Sequence, residues 1–178
     1  MISVIIPTQN SERVLVPTLT ALVPGSAEGL VREVILADGG SADETAKIAD
    51  AAGCEFRALS GDPEARVRAV AGTARGTWLL ILDPASVLEE GWTREAGKFI
   101  ESAERAGQAD RRAATFRLAI DGFGIAPRMK EFAAGARFAL TRRPRADQGL
   151  LAAKRFYESR NGKIGRVVLL RTRIVIPS

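Results

Sequence analysis

The sequence contains no histidine among its 178 residues. This absence excludes catalytic triads of serine, histidine and aspartate, cysteine–histidine pairs, and zinc sites built on imidazole. Any catalysis has to use carboxylates, amides, hydroxyls, cations or a metal held by oxygen. Such groups suit phosphoryl or glycosyl transfer to or from a nucleotide, because positioning and charge stabilisation carry most of that chemistry.

Cysteine and long apolar runs are also scarce. The single cysteine, Cys54, cannot form a disulfide within the chain, and we interpret it as a packing residue. No apolar run approaches the roughly 18 to 20 residues needed to cross a bilayer, and the N-terminus lacks the basic segment and cleavage site of a secretion signal. We therefore expect a cytoplasmic protein, and the length predicts a single domain over residues 1–178.

Acidic and basic residues are segregated along the chain. Residues 1–110 hold 10 Lys or Arg against 17 Asp or Glu, whereas residues 111–178 hold 16 against 4. The basic part is expected to meet an anionic partner, such as a phosphate-bearing ligand, another subunit, or the inner face of a membrane in peripheral contact. Nucleic acid is a poor candidate, because the basic part lacks the interleaved aromatic residues that stack bases.

The first 106 residues alternate short apolar runs with helical patterns, which predicts β-α units and a mostly parallel sheet flanked by helices. Strands are predicted at residues 2–6, 34–37 and 78–82. Helices are predicted within 11–23, from a capping box at 41–44 to Gly53, from Asp62 to Gly76, and over 91–105. Beyond residue 107 we predict a strand at 113–120, a turn at 122–124, a helix at 129–140, and an edge strand at 166–176.

Polar clusters follow three of the predicted strands, where open parallel sheets bind ligands. They are Pro7-Thr8-Gln9-Asn10, Asp38-Gly39-Gly40-Ser41 and Asp83-Pro84-Ala85-Ser86. Each cluster alone is also ordinary turn chemistry. An aspartate at the tip of two strands together favours a binding site.

In four segments the chain resembles family 2 glycosyltransferases. They are residues 3–10, residues 33–45 with Asp-Gly-Gly-Ser-x-Asp, residues 74–83 ending in Asp83, and Asp147-Gln148-Gly149. The last element is similar to one found in a bacterial branch of the family. The resemblance covers roughly residues 1–157, and it implies a GT-A fold that binds a nucleotide-diphosphate sugar. Residues 1–110 would then be the nucleotide-sugar half, and residues 111–178 the basic acceptor side.

The resemblance also implies roles for individual residues. Asp38 takes the position that hydrogen-bonds the base, Thr8 would meet the base or ribose, and Asp83 would reach Mg²⁺, Mn²⁺ or the ribose. The pyrophosphate leaving group needs cations, for which Arg66 and Arg68 are candidates. Alternatively, the two arginines lie on a solvated helix face and have no role in binding. The implied nucleotide site is completed by three further residues of the strand-end clusters, which are Pro7, Asn10 and Gly39.

Two departures from the family pattern concern catalysis. The second carboxylate of the family's Asp-x-Asp motif is replaced by Ala85, which leaves a weaker and more phosphate-dependent metal site. No acidic pair follows Gly162 to supply a general base, so Asp147 is nominated for that role, with a loop-ordering ion pair as its alternative.

The leading hypothesis is a glycosyltransferase acting on an anionic or lipid-linked acceptor. A catalytically silent sugar-nucleotide-binding module, or a partner-dependent subunit, would also explain both departures. A nucleotidyltransferase of related fold lacks support, because Pro7-Thr8-Gln9-Asn10 stands where a glycine-rich loop is expected.

Overall fold

The computed structural model describes residues 1–121 and 148–177 of the chain. Within these two ranges the chain forms eight strands and five helices. In chain order they are β1 (Ile2–Thr8), α1 (Glu12–Ala27), β2 (Val31–Asp38), α2 (Thr45–Ala51), β3 (Glu55–Ala58), α3 (Pro63–Ala71), β4 (Trp78–Ile81), β5 (Val87–Leu88), α4 (Trp92–Arg105), β6 (Ala113–Asp121), β7 (Leu150–Ala153), α5 (Lys154–Ser159) and β8 (Val168–Pro177). The turn predicted at 122–124 and the helix predicted at 129–140 lie outside the described residues.

The eight strands form one sheet in the order β3-β2-β1-β4-β7-β6-β8-β5. β1 pairs in parallel with β2 and with β4, and β2 pairs in parallel with β3. β7 is antiparallel to both β4 and β6. The predicted α/β fold class is confirmed, and the carboxyl ends of β1, β2 and β4 meet at one edge of the sheet.

Helices cover both faces of the sheet. Alternate side chains of β1 point to opposite faces, as the two-residue period of a strand requires. Val4 and Ile6 pack in the cluster that contains Trp92 of α4, whereas Ile5 packs with Val67 of α3. Burial of β1 on both sides explains why its apolar run is nearly continuous.

Helix α1 contains a proline beyond its first turn. The helix begins at Glu12 and holds Pro17 in its interior. Pro17 and Arg13 both lie on the exposed side of α1, so water can reach the Arg13 carbonyl that receives no N–H from the proline. The missing bond is therefore tolerated.

The start of α2 also differs from the prediction. The helix begins at Thr45 after Glu44, so Ser41 is not its N-cap. Gly53 follows the helix end with φ at 67°, as predicted. The Asp62 cap of α3 is confirmed, since its side chain accepts a hydrogen bond of 2.7 Å from the Ala65 N–H.

The C-terminal strand β8 is not an edge strand. It pairs in parallel with β6 and is covered on its other side by β5, at Val175 and Ile174. Helix α3 is shorter than predicted and ends at Ala71, five residues before Gly76. The backbone at Gly76 instead lies against Ser3, where an added Cβ would be 2.4 Å from the Ser3 nitrogen.

Candidate active site

A cavity of about 830 Å³ opens at the carboxyl ends of β1 and β4. Pro7 and Gln9 line it from the end of β1, and Asp83 lines it from the segment after β4. Arg66 and Arg68 contribute from α3. Another part of the lining comes from Tyr157 of α5 and from residues 161–165 after that helix, a stretch that the sequence did not predict as part of the site.

Asp38 organises the loops behind this cavity. The residue is buried, with 1% of its surface exposed. One oxygen, Oδ1, accepts hydrogen bonds from the Thr8 and Ser41 hydroxyls, and Oδ2 accepts from the backbone N–H groups of Gly40 and Ser41 at 2.8 and 2.7 Å. Four donors fill the four acceptor positions of a carboxylate.

The electrostatics of Asp38 follow from these bonds. Burial raises the pKa of Asp38, but the hydrogen bonds from Ser41, Thr8 and Gly40 outweigh burial and lower that pKa below its ordinary value. Asp38 is therefore ionised, and its capacity to accept hydrogen bonds is already filled. The base-binding role implied by the resemblance stays a prediction, and the bonds of Asp38 hold the loop that follows β2.

The loop after β1 is locked to the loop after β2. Asn10 adopts a left-handed conformation with φ at 49°. Its N–H donates to the Ser41 hydroxyl at 2.8 Å, and its side-chain oxygen accepts from the Ala42 N–H at 2.9 Å. Ser41 is thus held between Asn10 and Asp38, which explains why it does not cap α2. The site is preorganised by these bonds.

Arg66 is a buried cation, 2% exposed, at the junction of β1 and β2. Its Nη1 donates to the carbonyls of Thr8 and Ala37 at 2.6 and 3.0 Å. Its Nε is buried without a hydrogen-bond partner among the described residues. The guanidinium lies against Gly39, where an added Cβ would be 2.3 Å from Nη1. Glycine is required at position 39 because Arg66 occupies the space that a side chain there would need.

Asp83 lies in a turn, and the strand expected through residue 82 ends at Ile81. The Ser86 N–H donates to the Asp83 carbonyl at 2.9 Å, and the Ala85 N–H donates to Asp83 Oδ1 at 3.0 Å. Along a strand, the side chains at positions 83 and 85 would project to the same side. Because this segment is a turn, that rule does not apply here.

Among the described residues, the donor set does not fit a resident divalent metal. Residues 1–121 and 148–177 contain no group of three or more Asp, Glu, His or Cys that could hold one. Asp83 can offer one carboxylate, whose Oδ1 already accepts a backbone bond. Hard cations such as Mg²⁺ need about six oxygen ligands, so phosphate and water would have to supply the rest.

The wall opposite β1 is built on two consecutive left-handed residues, Asn161 and Gly162, with φ of 48° and 76°. An added Cβ on Gly162 would be 2.9 Å from the Tyr157 hydroxyl oxygen. Burial raises the pKa of Tyr157, and the nearby Arg68 partly offsets this. The next residue, Lys163, lines the cavity. The Asn-Gly pair was the only sequence signal for this turn.

Four of the predicted site residues line the same cavity, and they are Pro7, Arg66, Arg68 and Asp83. Thr8, Asp38 and Gly39 are brought together behind it through the bonds described above, and Asn10 holds the adjoining exposed loop. The predicted general base, Asp147, lies outside the described residues.

Solved structures share the fold of this chain. The S. aureus TarS fragment 1–349 is similar with a TM-score of 0.72 and 16% identity, over 99% of this chain and 60% of that one. M. tuberculosis glucosyl-3-phosphoglycerate synthase, solved with Mn²⁺ and UDP-glucose, gives a TM-score of 0.63 and 14% identity, over 99% and 70%. The chain thus spans less than two thirds of the TarS fragment.

The sequence comparison identifies the family. No curated protein matches the chain. Residues 3–118, well over half of the chain, match glycosyl transferase family 2. This range contains every predicted site residue except Asp147. The chain therefore belongs to glycosyl transferase family 2.

Proposed function

We propose that this chain transfers a sugar from a nucleotide-diphosphate donor to an acceptor hydroxyl. The observation that carries the proposal is the cavity at the carboxyl edge of the sheet, which Asp83 and the α3 arginines Arg66 and Arg68 line together. Family membership and the UDP-glucose complex of the M. tuberculosis synthase support the same chemistry.

In this reaction the bond between the anomeric carbon and the diphosphate oxygen breaks, and the acceptor oxygen bonds to that carbon. Negative charge develops on the departing diphosphate, which Arg66 and Arg68 would stabilise. The acceptor proton must pass to a base, for which Asp147 remains our candidate.

The acceptor is proposed to be anionic. The described residues from 148 onward carry seven Lys or Arg and one acid, Glu158, and Lys163 and Lys154 belong to this set. The M. tuberculosis synthase has been solved with phosphoglyceric acid, an anionic molecule, which supports this class. A lipid-linked phosphate would share the same chemistry.

A sugar-nucleotide-binding module without transferase activity is the second candidate. The observation that favours it is Ala85, in place of a second carboxylate beside Asp83. Such a module would bind the donor but would not release nucleoside diphosphate from it.

Thermal denaturation with a panel of nucleoside diphosphates and their sugars tests donor binding, because a ligand of the native state raises its apparent stability. We expect at least one of UDP, GDP, ADP, CDP and dTDP to raise Tm. Absence of a shift from every member, with and without Mn²⁺, would contradict the proposal. Release of nucleoside diphosphate from the sugar nucleotide then separates a transferase from a silent module.

A further inference from the structure

We propose that this domain binds the donor diphosphate with side-chain cations, in a site that gains little from a divalent metal, and that Lys163 is one of those cations. The inference rests on the proposed function and specifies how the site recognises its ligand.

Arg66 provides the first part of the argument. The residue is almost completely buried, and its guanidinium donates hydrogen bonds to two backbone carbonyls. No carboxylate pairs with it in the described part of the chain. A buried positive charge without an acid partner favours an anion in the adjoining cavity, because the anion supplies the missing countercharge.

Lys163 provides the second part. Its side chain is exposed at the cavity and makes no ion pair with any described residue. The preceding residue, Gly162, lies close to both neighbouring elements, since an added Cβ would be 2.9 Å from the Tyr157 hydroxyl and 3.4 Å from Arg68 Cγ. The left-handed turn therefore places the backbone just before Lys163 against Arg68, and both side chains line the same cavity.

The carboxylates of the cavity wall cannot balance these cations. Glu64 is 88% exposed in its side chain and already lies 3.8 Å from Arg68. Asp83 is the other acid of the lining. From the described lining, a divalent ion placed at Asp83 would gain one carboxylate and meet three positive side chains, those of Arg66, Arg68 and Lys163. Coulomb repulsion from these cations works against the metal and in favour of a highly charged diphosphate.

Calorimetric titration tests the metal part. The nucleoside diphosphate with the largest thermal shift is titrated into the full chain in EDTA, and again with MnCl₂ in place of EDTA. We expect the two dissociation constants to agree within about fivefold, which is about 1 kcal/mol. A larger gain with Mn²⁺ overturns the proposal but leaves the glycosyltransferase assignment standing. Absence of binding under both conditions contradicts the proposed function itself.

The Lys163 part needs matched variants. Lys163→Gln should weaken diphosphate binding about three- to tenfold, the range for one partly exposed charge-assisted contact. Lys163→Arg should retain most of the affinity. Binding of the corresponding nucleoside, which lacks phosphate, should be unchanged in both variants. Lys98→Gln, an exposed charge removal on α4, controls for net charge. Equal diphosphate affinity in Lys163→Gln and Lys98→Gln would overturn the role of Lys163.

Discussion

Replacement of Gly39 by alanine should destabilise the protein through Arg66 alone. Gly39 has no left-handed φ, so alanine is acceptable to its backbone. The new methyl would lie 2.3 Å from Nη1 and 2.7 Å from Cζ of Arg66, so the guanidinium must move. Movement breaks its bonds to the carbonyls of Thr8 and Ala37.

The magnitude follows from those two bonds. Each bond to a charged donor contributes about 1.5 to 3 kcal/mol, and partial recovery by water leaves a net loss of about 2 to 4 kcal/mol. For a domain of this size the loss corresponds to a Tm decrease of about 5 to 15 °C. Chemical denaturation of wild type and variant measures the difference in the free energy of unfolding.

A double-mutant cycle identifies the cause. In an Arg66→Ala background the methyl has space, so Gly39→Ala should cost less than about 0.5 kcal/mol there. Gly97→Ala is the matched control, because it lies in α4 with no atom within 4 Å of the added Cβ and should be neutral or stabilising. An equal cost of Gly39→Ala with and without Arg66 would refute the steric argument.

Three further predictions concern charge. The hydrogen bonds to Asp38 lower its folded pKa below the unfolded value, so the unfolded state binds more protons in acid, and stability should fall as pH decreases from about 5 through the folded pKa. Asp38→Asn should flatten the dependence of stability on pH, measured by denaturation curves recorded across this range. Some dependence should remain, because the pKa of Glu33 is also lowered in the folded state. An unchanged slope would contradict the assignment. Ala85→Asp adds a second hard oxygen ligand near Asp83, and Mn²⁺ should then strengthen nucleoside diphosphate binding more than in wild type; equal metal dependence in calorimetry would show that the turn holds the new carboxylate away. The basic residues after position 110 should bind the chain to acidic vesicles, and sedimentation should show release between about 0.1 and 1 M salt, where the screening length falls from about 10 to 3 Å; a chain that stays free at low salt would contradict this.

Elements with strong local signals were predictable. The apolar run of β1 and the Asp62-Pro63 start of α3 depend on residues within a few positions of each other, and the structure confirms both. The start of α2 was wrong for a physical reason. Ser41 has the right spacing for a helix cap, but the carboxylate of Asp38 competes for its hydroxyl and its N–H.

Burial of Arg66 could not be predicted from its neighbours. On a helix, an arginine between Ala65 and Val67 is compatible with a solvated face. Its actual environment is set by the carbonyls of Thr8 and Ala37, which are remote in sequence. The wall around Lys163 was missed for the same reason, since its position depends on how β7 and α5 return beside β4.

The cavity walls come from opposite ends of the chain, and this has a consequence for biosynthesis. The first wall is complete once residues 7–11, α3 and residues 81–84 have left the ribosome, but the second requires Tyr157 and residues 161–165. Synthesis proceeds from the N-terminus, so the parallel half of the sheet can assemble well before a ligand cavity exists. Closing a loop of this length carries an entropic cost that only late contacts repay. Nucleotide affinity should therefore appear only after residue 165 has emerged, and a nascent fragment ending before residue 157 would fold its first strands without competing for the donor.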